Sequence, residues 1–337
     1  MSARSDAIDA FLARSGWAGA ERSPLAQDAS FRRYERIRSG ARKAVLMDAP
    51  PAHEDVRPFL RIARRLAELG LSAPRILAED AAEGFLLLED LGDATFTRLL
   101  KAGEAEAPLY LLAADVLADL HRRPARNAVP DGVPPYDDAL FLREARLLVE
   151  WYMPAVFGKE TDAATVAGFE AVWRQLLPLA RKVPESLVLR DFHVDNLMRL
   201  EGRRGVAACG LLDFQDAVRG PVSYDFVSLV EDARRDVATE VAEAARARYL
   251  AAFPSLDAAA FDLSCAILGA QRHCKVLGIF TRLRDRDGKP DYLVHVPRLW
   301  RLLERAAANA ELSPLRSWLD ENVPAEARIV PPARKAA

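Results

Sequence analysis

Asp191 is followed five positions later by Asn196, and Asp213 opens a second short segment further on. Between them, residues 197–200 and 206–212 read as two short strands around the turn Glu201-Gly202-Arg203-Arg204-Gly205. No other feature constrains the fold as much, because a hairpin must return the chain and leave the polar groups at its open end as neighbours. Oxygen ligands suit a hard divalent cation. A separate carboxylate can orient an attacking hydroxyl and accept its proton, and together these are the needs of phosphoryl transfer. Asp191 is then the candidate base, and Asn196 and Asp213 are the candidate Mg²⁺ ligands. Asp and Asn are also ordinary turn residues, so neither half carries the reading alone. In this order, joined by a hairpin, they favour ATP-dependent phosphotransfer.

The chain has 337 residues, half of them hydrophobic and 28% charged, which is globular material sufficient for two lobes. A formal charge of −2 gives no general attraction to nucleic acid or to an anionic membrane. Residues 1–17 lack the apolar core of a signal peptide, and no run is fit to span a bilayer. Cys209, Cys265 and Cys274 have neither paired nor metal-ligand spacing. These features place the expectation in a reducing cytoplasm.

Residues 6–14 read as a short helix, and 31–38 and 43–48 as strands joined by Ser39-Gly40. Residues 56–69 read as an amphipathic helix with Pro58 in its first turn and Gly70 past its end. Strands follow at 75–78 and 85–89. Beyond Leu91-Gly92-Asp93 helices dominate, at 107–120, 139–152, 163–181, 224–232, 237–253, 258–283 and 297–309. The expected class is α+β. It has a nucleotide-binding lobe (1–90) made of a small antiparallel sheet and one main helix. A larger, mainly helical lobe (91–326) carries the catalytic loop and acceptor pocket, and 327–337 form a flexible tail.

Residues 86–92 fit a hinge in which the backbone around Glu89 and Leu91 meets adenine; a buried strand ending in a turn reads equally well. Upstream, Gln27-Asp28-Ala29-Ser30-Phe31-Arg32-Arg33-Tyr34 occupies the place of a phosphate-covering loop but contains no glycine. The Ser30 hydroxyl and the Arg32 or Arg33 guanidinium could hold phosphate oxygens. There is no Gly-x-x-x-x-Gly-Lys-Ser/Thr, which excludes P-loop chemistry. Met47 stands where a kinase strand carries its lysine, and residues 59–65 contain no glutamate to pair with one. Lysine and partner are missing together, so the expectation is a different phosphate grip, supplied by Arg32 or Arg33.

These motifs, with Leu120-His121-Arg122 and Tyr224-Asp225, resemble the aminoglycoside phosphotransferase and choline kinase superfamily of protein-kinase-like, two-lobed fold. More narrowly, several blocks are similar to the N-acetylmuramate/N-acetylglucosamine anomeric kinases of bacterial cell-wall recycling. They are Asp28-Ala29-Ser30-Phe31-Arg32-Arg33-Tyr34, Met47-Asp48-Ala49-Pro50-Pro51, Glu150-Trp151-Tyr152, Leu189-Arg190-Asp191-Phe192-His193 and Gln271-Arg272-His273-Cys274-Lys275-Val276-Leu277-Gly278-Ile279-Phe280. The resemblance implies phosphorylation of the sugar C1 hydroxyl by ATP with Mg²⁺, and a sugar 1-phosphate that a uridylyltransferase could take onward.

N-acetylmuramate carries a lactyl carboxylate, for which a cation in the acceptor pocket makes physical sense. Glu150, His193, Gln271, Arg272 and Lys275 are the acceptor-side candidates. Residues 271–273 point about 100° apart on a helix, so all of them cannot face one ligand. His193 reads as a brace for the catalytic loop, Asp225 as its anchor, Trp151 as core, and His121 as structural. Two other readings stand beside this one. The same fold could act on an aminoglycoside, choline or homoserine. A nucleotide-binding pseudokinase is favoured by the lost lysine and opposed by the intact Asp191, Asn196 and Asp213.

Overall fold

The computed structural model describes residues 3–25 and 31–333. Within these, the chain forms two compact units, one of the described residues up to 105 with 194–217 and the other of 106–193 with those from 218 onward.

The first unit is built on period-two strands. β1 (Glu21–Pro24), β2 (Arg33–Ser39), β3 (Arg42–Asp48), β4 (Ile76–Asp80) and β5 (Phe85–Glu89) form an antiparallel sheet in the order β1-β2-β3-β5-β4. Alternate residues Ile37, Ala44, Leu46, Phe85 and Leu87 face helix α1 (Ala3–Arg14), which contributes Ile8, Phe11 and Leu12 to one core. Helix α2 (Arg57–Glu68) buries Phe59, Leu60, Ile62, Ala63 and Leu66 and carries Pro58 in its first turn, where a missing N–H costs no hydrogen bond. α3 (Phe96–Lys101) is capped by Thr95, whose hydroxyl accepts from the Arg98 N–H.

The hairpin anticipated after Asn196 is present as β7 (Leu197–Arg199) and β8 (Cys209–Leu211), paired Leu197 to Leu211 and Arg199 to Cys209. It belongs to the first unit rather than to the helical one. Ser72 forms a bridge to Gly210 and accepts the Leu211 N–H at 2.9 Å, and Thr95 forms a bridge to Met198. The sequence-derived border at 90/91 thus gives way to one after residue 105, with the hairpin included.

The second unit comprises α4 (Glu106–His121), α5 (Ala125–Ala128), α6 (Asp138–Ala145), α7 (Met153–Phe157), α8 (Ala163–Ala180), β6 (Glu185–Val188), β9 (Val218–Pro221), α9 (Ser223–Val230), α10 (Thr239–Ala251), α11 (Ala258–Asp287), α12 (Val296–Ala307) and α13 (Ser313–Asn322). β6 and β9 pair antiparallel. The 30-residue α11 runs through the core, with Ile267, Leu268, Ala270, Cys274, Leu277 and Phe280 among its buried side chains.

The helix expected at 139–152 is interrupted, since residues Leu148–Tyr152 form a π-turn. The segment expected to be a tail from 327 is held as far as it is described. The Tyr152 hydroxyl donates to the Ile329 carbonyl at 2.7 Å, Arg328 pairs with Glu304 and Asp320, and Arg284 donates to the Pro331 carbonyl at 2.8 Å. Among the described residues, no helix is long and apolar enough to cross a membrane.

Candidate active site

In the second unit, Asp191 sits in a loop whose backbone is held in an uncommon conformation. Arg190 has φ 69°, in the left-handed region that costs a residue with a Cβ about 1–2 kcal/mol. Its N–H, its carbonyl and the end of its guanidinium are each held. Asp225 takes the Leu189 and Arg190 N–H groups on its two carboxylate oxygens at 2.6 and 2.8 Å. The Arg190 carbonyl accepts from Arg272 at 3.0 Å, and its guanidinium pairs with buried Glu144. Glu144 also receives Lys275 at 3.0 Å and the Tyr136 hydroxyl. Burial raises the Asp225 carboxyl to about 7 against the pull of its two N–H donors.

Arg272 approaches the Asp191 carboxylate at 3.6 Å. Burial alone would raise the Asp191 carboxyl, but Arg272, then Lys275, His193 and Arg190, outweigh it. The result is a carboxylate held well below its ordinary range. Such a group is always ionised near neutral pH, and it orients a hydroxyl proton more readily than it extracts one.

The central position of α11 accounts for its run of polar residues. A helix surrounded by protein must pair every polar side chain in whatever direction it points. Gln271 donates to the Phe141 carbonyl at 3.0 Å, Arg272 to the Arg190 carbonyl at 3.0 Å, His273 meets Glu231 at 2.7 Å, and Lys275 reaches Glu144. Gln271 therefore faces α6, while Arg272 and Lys275 share the network around Arg190. Glu150 pairs with Arg146 at 2.8 Å at the surface.

His193 is buried, and its Nε2 lies 3.3 Å from the Arg234 guanidinium. Burial lowers its proton affinity, with Asp232 opposing and Arg234 assisting. Asp232 and Arg234 escaped the sequence reading. They follow α9 in an irregular stretch with no periodic pattern, and only their position shortly after Tyr224-Asp225 could have drawn notice.

In the first unit, the hairpin closes with the Leu212 N–H donating to the Asn196 carbonyl at 2.9 Å, so Asn196 and Asp213 lie at one end. Asp213 has φ 55°; with Arg190 it is one of two described non-glycine residues in the left-handed region. Gln215 donates to its carboxylate at 2.8 Å, and the neighbouring Phe214 stacks on Phe59 of α2 at 4.9 Å. Asp195 accepts from the Thr97 hydroxyl.

Arg32 lies 3.5 Å from the Asp213 carboxylate and is mostly buried, whereas Arg33 begins β2 with its side chain exposed. Ser30, with Gln27, Asp28 and Ala29, lies outside the described residues. Met47 is fully buried between Tyr34 and Leu86 on the neighbouring strands. Glu89 ends β5 and pairs with Arg75 and Arg203, which lowers its carboxyl's proton affinity although burial works the other way. The Leu91 side chain packs against Gly210. One amide oxygen and one carboxylate fit Mg²⁺, which keeps waters and binds through few protein oxygens together with substrate phosphates.

Known proteins agree with this architecture. The model of the phosphotransferase enzyme family matches residues 21–261. An N-acetylmuramate/N-acetylglucosamine kinase of Caulobacter vibrioides is 39% identical, with the alignment covering 97% of this chain and 99% of that one. A kinase of the same name from Pseudomonas aeruginosa is 40% identical over 91% of this chain and 90% of its own. A choline kinase of Streptococcus pneumoniae, only 13% identical, shares the fold with a TM-score of 0.63 across 91% of this chain and all of its own. With a strained loop presenting an ionised Asp191, and a hairpin closing on Asn196 and Asp213, the chain belongs to the phosphotransferase enzyme family.

Proposed function

We propose that the protein transfers the γ-phosphoryl group of ATP to the C1 hydroxyl of N-acetylmuramate and N-acetylglucosamine, yielding the sugar 1-phosphates. The observation that carries the reaction is the geometry at Asp191, a partly exposed carboxylate kept ionised by buried Arg272 and fixed by the pinned Arg190 backbone. The choice of acceptor follows the kinases of Caulobacter vibrioides and Pseudomonas aeruginosa, which match almost the whole chain.

Asp191 accepts a hydrogen bond from the C1 hydroxyl and aims its oxygen at the γ-phosphorus. As the new O–P bond forms and the bond to the β-phosphate oxygen breaks, the hydroxyl proton passes to Asp191. A weakly basic carboxylate suits a loose transition state, in which the nucleophile is deprotonated late. Asn196 and Asp213 would hold Mg²⁺, which when bound supplies positive charge against the phosphates. Arg32, beside Asp213, stands in for the lysine that Met47 replaces, as a guanidinium grip on phosphate oxygens.

Incubation with ATP, Mg²⁺ and each amino sugar tests the reading, with phosphorus NMR locating the phosphate. The expected product is phosphorylated at C1 and loses its reducing-sugar response. Asp191→Asn should reduce turnover at least a thousandfold while ATP still binds. ADP release with choline, homoserine or an aminoglycoside, and with neither amino sugar, would overturn the assigned acceptor.

A further inference from the structure

Among the buried polar atoms near Asp191 that lack a hydrogen-bond partner in the described residues, one belongs to Asp232 and one to His193. Asp232 is 2% exposed; its Oδ1 accepts the backbone N–H of Arg234 at 2.8 Å, and its Oδ2 is orphaned. His193 is 5% exposed, and its Nδ1 is orphaned as well. The Arg234 guanidinium can only donate, so Nε2 of His193 is the acceptor in their 3.3 Å contact, and Nδ1 carries the proton of the neutral ring. A buried acceptor and a buried donor are thus left over in one charge cluster with Asp191, Arg272 and Arg234. An unmet buried group is costly, and a native structure keeps such groups where something else completes them. A hydroxyl answers both, accepting from Nδ1–H and donating to Oδ2. Beside them Arg234 is partly exposed, its guanidinium 6.0 Å over the Phe280 ring.

We propose that Asp232, His193 and Arg234 form the acceptor subsite beside Asp191. Asp232 and His193 hold one sugar hydroxyl, and Arg234 selects acceptors that carry a carboxylate. The assignment rests on the kinase reading above and names the side chains that read its substrate. The two sugars differ by the lactyl ether and its carboxylate, so a guanidinium placed for that group discriminates between them. Gln271 and Lys275 are committed elsewhere, and Arg272 serves the loop backbone and Asp191.

Steady-state kinetics of the wild type with both sugars comes first; no ADP release with either withdraws the kinase reading itself. Given that activity, Arg234→Gln should lower the ratio of kcat/KM for N-acetylmuramate over N-acetylglucosamine at least tenfold, with Arg234→Lys recovering part of it. The ratio is taken on one preparation, so a partly misfolded variant does not change it. Asp232→Asn should raise KM for both sugars more than tenfold while the ATP KM stays within twofold. His193→Gln, expected to behave alike, serves if Asp232→Asn does not fold. An unchanged ratio in Arg234→Gln overturns the carboxylate assignment. Sugar and ATP KM values that rise together, or a sugar KM that does not rise, overturn the hydroxyl assignment.

Discussion

At the scale of single residues, the proposed site of Asp191, Asn196 and Asp213 stands out in the sequence because phosphotransfer chemistry asks for both residue type and spacing. Its support does not. Glu144, Arg190, Lys275 and Tyr136 meet from separate elements, and nothing local in the sequence announces a buried carboxylate that receives two cations and a phenol. The sequence also left Arg32 and Arg33 equivalent as replacements for the strand lysine. Their positions separate them, since Arg32 is mostly buried beside Asp213 and Arg33 is exposed at the start of β2. A charge-assisted contact to phosphate contributes about 1.5–3 kcal/mol. Arg32→Ala should therefore reduce kcat/KM for ATP by roughly 10- to 100-fold, with Arg33→Ala within about twofold of wild type. Initial-rate measurements at varied ATP decide this, and equal effects from the two substitutions would remove Arg32 from the phosphate grip.

At the scale of elements, the central strands, α2 and the long helices were legible from periodicity and from proline and glycine punctuation. β1, Glu-Arg-Ser-Pro, is a polar edge strand without an apolar face and so gave no signal. β6 and β9 pair across 29 intervening residues, a contact that local pattern does not encode. The π-turn at Leu148–Tyr152 has no local sequence signal, and the residue just before it meets another helix. Gly278 of α11 packs directly on the Leu147 carbonyl, and a methyl group there would overlap it. Close approach of two buried backbones leaves no room to relax, and overpacking of this kind costs about 1–3 kcal/mol. Gly278→Ala should lower the denaturant midpoint accordingly, despite alanine's better helix propensity. A variant as stable as wild type would show that this contact has room to relax.

For the molecule as a whole, two buried groups, Asp225 and His121, act on stability with opposite sign as pH changes. Asp225, raised to about 7 by burial, is an acid that binds its proton more tightly when folded; its contribution increases as pH falls from about 7 towards 4. His121 works the other way. Buried at the end of α4, with Nδ1 2.8 Å from the Tyr249 hydroxyl, it is lowered to about 3 by burial. Unfolded, it takes up a proton near pH 6.5, so folding stability is lost progressively below that value and the loss continues down to about pH 3. By pH 5 the loss from His121 alone amounts to about 2 kcal/mol. In the wild type these two groups oppose each other over this range and His193, also lowered by burial, adds to the loss, so a pH curve of one protein isolates none of them. His121→Gln removes the titration and keeps a hydrogen-bonding side chain for Tyr249, while Asp225 is common to both proteins and cancels in their difference. Urea denaturation at pH 7.5 and pH 5 should show the wild type losing about 2 kcal/mol relative to the variant between the two conditions. A difference that does not change with pH would mean that His121 is charged in the folded protein.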